Sequence, residues 1–221
     1  MKLQHFDIDY CFNFEQDIHI YSLIVENPSL YFKVCNELIN FNKLDEVSWV
    51  LAHDAQEIKL DNILCIHDFF ELNLNNKKVE SLIDAKILQI LKEQDFLQEF
   101  SQLNNLLIKI NNQALAEMDL PIKSTDEVTY ENFVKLSDYK INEEIDLCNK
   151  IITYIDLFIK LKNVKVVVLV SCFNILTYEQ IQQIIKQLQY MGINVLFINS
   201  VDKYNFKDVP KIIIDKDLCL I

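Results

Sequence analysis

The stretch KVVVLVSCFNILTYEQIQQIIKQLQYMGINVLFINS, from Lys165 to Ser200, contains a complete strand–helix–strand unit. The residues from Lys165 to Ser171 are apolar and β-branched, which is typical of a buried strand. Thr177 and Gln180 have the spacing of a capping box, and Gly192 supplies the left-handed residue that ends a helix. The apolar run that follows is a second strand. This order predicts a parallel strand pair with a right-handed crossover, and therefore an α/β fold.

The N-terminal part of the chain shows the same change from strand to helix. Ile18 to Val25 is apolar enough for a buried strand, and Pro28 suits the first turn of a helix. The run NILCIH, from Asn62 to His67, predicts another strand. Lys211 to Ile214 can supply an edge strand. Both ends of the chain therefore contribute to one α/β body.

The middle of the chain is helical by pattern. Apolar residues recur every three or four positions over about 77–116 and again over about 143–161. We therefore divide the chain into an α/β head, residues 1–75 and 163–221, and an α-helical insertion, residues 76–162.

Composition limits the classes of function that the chain can have. Among its 221 residues are 21 basic residues, all of them lysine, and the formal net charge is −12. That charge argues against indiscriminate nucleic-acid binding but permits a local basic surface, whose lysines would contact phosphates rather than read bases. The six cysteines are scattered and suit a reducing cytoplasm. The apolar runs are far shorter than the roughly 20 residues of a membrane span.

The two strand–helix junctions have the position of a phosphate-binding loop but not its residues. Such a loop needs glycines, whose backbone N–H groups can point inward, and a lysine that reaches the phosphates. Neither Glu26-Asn27-Pro28-Ser29 nor Ser171-Cys172-Phe173-Asn174 contains either residue. We therefore expect no measurable binding of ATP or GTP.

Two His-Asp pairs allow an enzymatic alternative. His53-Asp54 and His67-Asp68 have the residue types of a metal-dependent phosphohydrolase. Such a site needs further histidines, and the other two, His5 and His19, are near the N-terminus. Polar residues at strand ends are the simpler interpretation.

A cluster of carboxylates surrounds Pro121 and is the candidate metal site. Hard oxygen ligands in an irregular bend suit Ca²⁺. The residues alone are explained as simply by a solvated bend whose acids stabilise a helix start. The candidate ligands are Glu117, Asp119, Asp126 and Glu127.

A lysine pair and a later series of lysines are the candidate DNA contacts. Each of them would equally fit a solvated helix face. They are Lys77, Lys78, Lys150, Lys160 and Lys162.

The C-terminal third, VKVVVLVSCFNILTYEQIQQIIKQLQYMGINVLFINSVDKYNFKDVPKIIIDKDLCLI, resembles the Csn-two family, the accessory spacer-acquisition protein of type II-A CRISPR systems. The resemblance is carried by the strand ending near Ser171, the Leu176-Thr177 helix start, the VLF strand from Val195 to Phe197 and the Ile-Asp-x-Asp-x-x-Leu-Ile ending. The order of elements fits over nearly the whole chain.

The resemblance implies a degenerate P-loop-NTPase-like head with a long α-helical leg insertion. It further implies a non-enzymatic homotetrameric ring that binds double-stranded DNA ends, holds Ca²⁺ in an acidic bend of the leg and works with CRISPR integrase and effector nuclease proteins. The carboxylates around Pro121 match that bend, so the resemblance favours the calcium interpretation. The alternative function is an NTPase-like assembly scaffold that acts only through protein–protein contacts.

Overall fold

The computed structural model of the chain describes residues 1–14, 19–118, 122, 127–142 and 146–221. The chain divides into two compact units. The first unit combines Met1–Leu74 with Glu143–Ile221, and the second is the continuous segment Asn75–Asn142.

The described strands and helices have the following bounds. The strands are β1 (Lys2–His5), β2 (Cys11–Asn13), β3 (Ile20–Val25), β4 (Trp49–His53), β5 (Gln56–Ile58), β6 (Ile63–Ile66), β7 (Val166–Val170), β8 (Asn194–Asn199) and β9 (Lys211–Ile214). The α-helices are α1 (Pro28–Asn40), α2 (Lys77–Glu93), α3 (Leu97–Ala116), α4 (Tyr130–Leu136), α5 (Leu147–Lys162) and α6 (Tyr178–Tyr190).

The centre of the first unit is a five-stranded parallel sheet in the order β6-β7-β8-β3-β9. The predicted strand–helix–strand unit is β7–α6–β8, and its two strands are parallel neighbours, with Val168 opposite Leu196. This sheet confirms the predicted α/β class. β3 begins at Ile20, and Ile18, with which the sequence began this strand, lies outside the described residues.

Every residue of β3 and of β7 is buried. One face of the parallel sheet is covered by α1, through Leu30, Val34 and Leu38. Burial on both faces explains why these strands are apolar at every position except Ser22 rather than alternating. Fully burying one such aliphatic side chain contributes about 1.5–3 kcal/mol, so these strands and α1 form the main core of the unit.

The helix ends follow the sequence signals. At the start of α6, the Thr177 hydroxyl accepts the Gln180 N–H while the Gln180 side chain accepts the Thr177 N–H, so both halves of the capping box form. Gly192 follows this helix with φ +66°, the left-handed backbone expected there. Pro28 occupies the first turn of α1, which Asn27 caps.

The first unit also contains a four-stranded antiparallel sheet, ordered β2-β1-β4-β5, which the sequence did not predict. Its strands are short, from three to five residues. β1 and β4 form its centre, with Leu3 opposite Leu51, and both side chains are fully buried in the same core as α1.

The hairpin between β4 and β5 turns through two residues with left-handed backbone. His53 pairs with Gln56, and the intervening Asp54 and Ala55 have φ of 50° and 62°. Positive φ at both central residues is the pattern of a type I′ turn, which prefers glycine at the second position. Ala55 occupies that position here.

Ala55→Gly is expected to raise the free energy of unfolding by about 1 kcal/mol, because glycine adopts left-handed backbone without the Cβ clash of alanine. Urea denaturation of the two proteins measures the change. Ala52→Gly, in the adjoining strand β4, is the matched control and should lower stability by about 0.5–1 kcal/mol. A loss of stability in the Ala55 variant would contradict the argument.

Helix α5 packs within the first unit. Ile151 and Ile155 are fully buried, and the Cys148 thiol lies 3.9 Å from the Gln180 carbonyl oxygen of α6. The sequence-based division assigned this helix to the insertion, residues 76–162, whereas the compact units group it with the α/β body. The first residues of the predicted helix, 143–145, lie outside the described part of the chain.

The second unit contains α2, α3 and α4. Phe100 of α3 makes edge contacts with Tyr130 and Phe133 of α4. The Asn75 side chain pairs with both backbone groups of Ile141, at 2.8 and 3.0 Å, and so joins the two ends of the unit.

Candidate functional site

The four candidate calcium ligands divide into two that the structure describes and two that it does not. Glu117 is exposed at the C-terminal cap of α3, and Glu127 is exposed before α4. Asp119 and Asp126 lie outside the described residues. Within the described residues no three His, Cys, Asp or Glu side chains come together as a metal site. A calcium site of about six to eight oxygens therefore depends on the undescribed part of the bend, and calcium binding stays a prediction.

A side-chain amide fixes the backbone beside Glu127. Asn104 of α3 accepts the Val128 N–H at 2.8 Å and donates to the Val128 carbonyl oxygen at 3.3 Å. Thr129 then caps α4 by accepting the Asn132 N–H. Both backbone groups of Val128, the residue after Glu127, are thus hydrogen-bonded to α3.

Another carboxylate near the bend, Glu131, has a partner of its own. It lies 2.7 Å from the Lys92 Nζ, and the hydrogen bond from Lys92 lowers the pKa of Glu131. An open cavity of about 420 Å³ lies between α3 and this segment, lined in part by Phe100, Asn104 and Glu127. These residues form the described part of the candidate metal region.

The candidate DNA-contacting lysines fall in both units. Lys77 and Lys78 form the first turn of α2 and are exposed. The first turn of a helix carries partial positive charge from its N–H groups, which adds to the two ammonium groups. Together they can contact a phosphate without regard to base sequence.

The other three lysines lie on α5. A helix turns by roughly 100° per residue, so Lys160 and Lys162 lie roughly 200° apart around the helix axis. Lys160 also pairs with Asp156 at 2.6 Å. Lys160 and Lys162 therefore do not lie on one stripe of the helix.

The carboxyl ends of parallel strands are where ligands bind in open α/β sheets. After β7, Ser171 has left-handed backbone, φ 58°, and its hydroxyl hydrogen-bonds the Tyr31 hydroxyl. Burial raises the pKa of Tyr31 to about 12, so this phenol stays neutral at physiological pH. Asn27, at the end of β3, uses its side chain to cap α1 and to bind the Lys216 carbonyl. The side chains of Ser171, Tyr31 and Asn27 thus place two hydroxyls and an amide at this edge.

The two His-Asp pairs have local structural contacts. The His53 Nε2 lies 3.6 Å from the Asp54 carboxylate at the exposed tip of the β4–β5 hairpin. Asp68 accepts the N–H groups of Phe70 and Glu71 and so forms a turn after β6. These contacts fit the interpretation of both pairs as polar residues at strand ends.

Comparison with known protein families gives a match over most of the chain. The family model of the CRISPR-associated protein Cas_Csn2 matches residues 42–218, well over half of the chain. This range includes β6, the whole second unit and the β7–α6–β8 unit. Among the described helices, each one is too short or too polar to cross a lipid bilayer. The protein has a CRISPR-associated role, and the chain belongs to the Cas_Csn2 family.

Proposed function

We propose that this chain forms a ring that binds double-stranded DNA ends and assists spacer acquisition in a type II-A CRISPR system, without catalysing a reaction. The observation that carries this proposal is the match to the CRISPR-associated family over residues 42–218. The resemblance of the chain's C-terminal third to the spacer-acquisition protein supports spacer acquisition as the step in which the chain acts.

DNA binding would depend on local positive charge. With a net charge of −12 and no arginine, the chain can hold duplex DNA only where its lysines converge. The first turn of α2, with Lys77 and Lys78, offers such a place because the helix N-terminus adds to their charge. Contacts there would be to phosphates and would be insensitive to base sequence.

A ring requires association between copies, and α3 offers an apolar surface for it. This helix has no buried residue, and four of its apolar side chains are at least half exposed. At about 100° per residue, Leu97 and Ile108 lie on one side of the helix, and Leu106 and Ile110 lie on the opposite side. An exposed apolar surface of this kind favours association. We propose a homotetramer, the number implied by the resemblance, which would repeat each inward-facing lysine four times.

The finer features of the proposal follow from the same resemblance. The parallel sheet would be a degenerate P-loop-NTPase-like head, whose strand–helix junctions lack the glycines of a phosphate loop. Its partners would be the CRISPR integrase and effector nuclease proteins of the cytoplasm. The alternative, an assembly scaffold that acts only through protein contacts, would not bind DNA.

A binding titration with linear and covalently closed circular duplex of the same sequence tests the proposal. A closed ring lets linear DNA thread in and excludes closed circles, so we expect strong binding to the linear form only. Affinity should fall with salt by a log–log slope of about −0.9 per phosphate neutralised. Equal binding to both forms would exclude threading, and binding to neither would leave the assembly-scaffold alternative.

The variant Lys77→Gln/Lys78→Gln tests the role of α2 in DNA binding. It should weaken DNA binding and reduce the salt slope by about 0.9 for each phosphate that the variant no longer neutralises. Lys186→Gln, an exposed lysine on α6, is the control and should leave the slope unchanged. If both variants behaved like the wild type, the first turn of α2 would not bind DNA.

We also propose that Ca²⁺ is held by Glu117, Asp119, Asp126 and Glu127. Calcium should then raise the melting temperature by mass action, and Mg²⁺ should substitute poorly because it accepts irregular geometry less readily. Removing the carboxylates of Glu117 and Asp119 together should abolish the calcium-dependent shift in a thermal denaturation experiment.

The control for calcium binding removes two exposed acids elsewhere. Asp45→Asn/Glu46→Gln makes the same change in net charge in the first unit and should retain the shift. A shift that survived the Glu117/Asp119 change would place the ligands elsewhere.

A further inference from the structure

A histidine and a glutamate are buried together in the first unit, between the antiparallel sheet and α1. His5, the last residue of β1, is fully buried, and Glu37 of α1 is 6% exposed. The His5 Nε2 lies 3.3 Å from a Glu37 carboxylate oxygen. The same carboxylate accepts the Ser48 N–H at 2.6 Å and the Ser48 hydroxyl at 3.2 Å. One buried carboxylate thus joins α1 to the last residue of β1 and to the residue just before β4.

The hydrogen bonds around His5 determine where its proton lies. The Asp7 N–H donates to Nδ1 at 3.1 Å, so Nδ1 is an acceptor and the neutral ring carries its proton on Nε2. That proton faces Glu37, although the contact lacks the direction of a good hydrogen bond. A second proton on Nδ1 would face the Asp7 N–H, and two donors would then oppose each other.

The charged groups around His5 act in opposite directions. Glu37 and Asp7 attract a proton to the ring, whereas Lys33 repels it. Lys33 is itself held by Asp7 at 2.6 Å and lies 3.9 Å from Glu37. Burial is the largest effect, and the pKa of His5 falls below its ordinary value of 6.5. The fold therefore keeps the imidazole neutral at physiological pH.

We propose that His5, Asp7, Glu37 and Ser48 form an acid-sensitive latch, which holds the antiparallel sheet against α1 and opens when the imidazole takes a second proton. In the unfolded chain His5 takes this proton near pH 6.5, but in the folded chain only at lower pH. The stabilisation is therefore fully present above pH 6.5 and is lost as the pH falls towards the folded-state value. In this window the unfolding equilibrium constant rises by at most tenfold per pH unit.

The chain contains its own reporter for the latch. Trp49, the only tryptophan, is buried, and its ring centroid lies 5.1 Å from that of His5 in an edge-on contact. Protonated imidazole quenches indole fluorescence more strongly than neutral imidazole does. Tryptophan emission between pH 8 and pH 5 should therefore fall with a midpoint below 6.5.

Two histidine variants make the test specific. His5→Gln retains a donor towards Glu37 but cannot titrate, so the emission change should disappear and the increase in the unfolding constant that His5 contributes below pH 6.5 should be lost. His53→Gln removes the exposed histidine of the hairpin tip and should behave like the wild type. If His5→Gln did not fold, Glu37→Gln would replace it, because loss of the attracting carboxylate should move the midpoint to lower pH.

Each outcome decides the proposal. The latch is supported if tryptophan emission changes with a midpoint below pH 6.5 and if substitution of His5 or Glu37, but not of His53, alters that change. A midpoint at or above 6.5, or equal pH profiles for the wild type and His5→Gln, would overturn it.

Discussion

Ile155→Ala is expected to lower the free energy of unfolding by about 2–5 kcal/mol, the usual cost of truncating a fully buried isoleucine. Ile155 is fully buried in α5, beside Ile151 and Phe158, which are also buried. The cavity would open within the α/β body, because α5 packs on α6 in the same compact unit. Urea denaturation followed by circular dichroism measures the loss.

The control for this prediction is an exposed aliphatic residue. Leu136, at the end of α4, is 78% exposed, so Leu136→Ala should change stability by no more than about 0.5 kcal/mol. A loss below about 1 kcal/mol in the Ile155 variant would show that α5 is not part of the core of the α/β body.

Leu106→Glu/Ile110→Glu on α3 should convert the proposed homotetramer into smaller species while each chain remains folded. The two side chains are more than half exposed within one chain and lie four residues apart, on one side of the helix. Glutamates there would cost little in a monomer but would be costly in an apolar interface between copies. Multi-angle light scattering reads the molar mass directly.

The matched control introduces the same charge on the same helix. Asn105→Glu/Asn112→Glu changes two exposed polar residues of α3 and should leave the molar mass at four chains. A wild-type protein that is monomeric at micromolar concentration would contradict the proposed ring, and an unchanged tetramer in the leucine–isoleucine variant would place the interface elsewhere.

Local signals in the sequence predicted the central elements well. The apolar run of β7, the capping box at Thr177 and the helix-ending Gly192 each act within a few residues of the chain. For that reason the parallel β7–α6–β8 unit could be predicted without knowledge of the rest. The structure has both sides of the capping box and the left-handed glycine.

Contacts between distant residues explain what the sequence did not predict. The apolar face of α5 indicates that the helix is buried, but it does not indicate that its partner is α6. Strands of three to five residues, such as β2 and β5, are too short for alternation to distinguish them from loops. Glycine usually marks left-handed turns, but Asp54 and Ala55 form one here.

The candidate site was predictable only in part. Spacing identified the acids around Pro121 and the local groups of lysines as candidates, because runs of like residues are visible along the chain. The buried pair of His5 and Glu37 left no such signal, since it joins a strand to a helix through tertiary packing alone. The clearest sign of this pair in the sequence is Glu37 itself, a glutamate that lies between Val34 and Leu38 on the apolar side of α1.

The position of β3 in the parallel sheet has a consequence for synthesis of the protein. β3 pairs with β8 and β9, with Ile20 opposite Val195, and both neighbours are made long after β3, since β3 ends at Val25 and β8 begins at Asn194. At about 5–20 residues per second, this mainly apolar strand waits on the order of ten to thirty seconds for its partners. During that interval the continuous segment of the second unit can already fold, whereas β3 remains open to aggregation or to a chaperone. Ribosome-bound chains that stop before β8 should therefore bind a general chaperone, and full-length chains should release it.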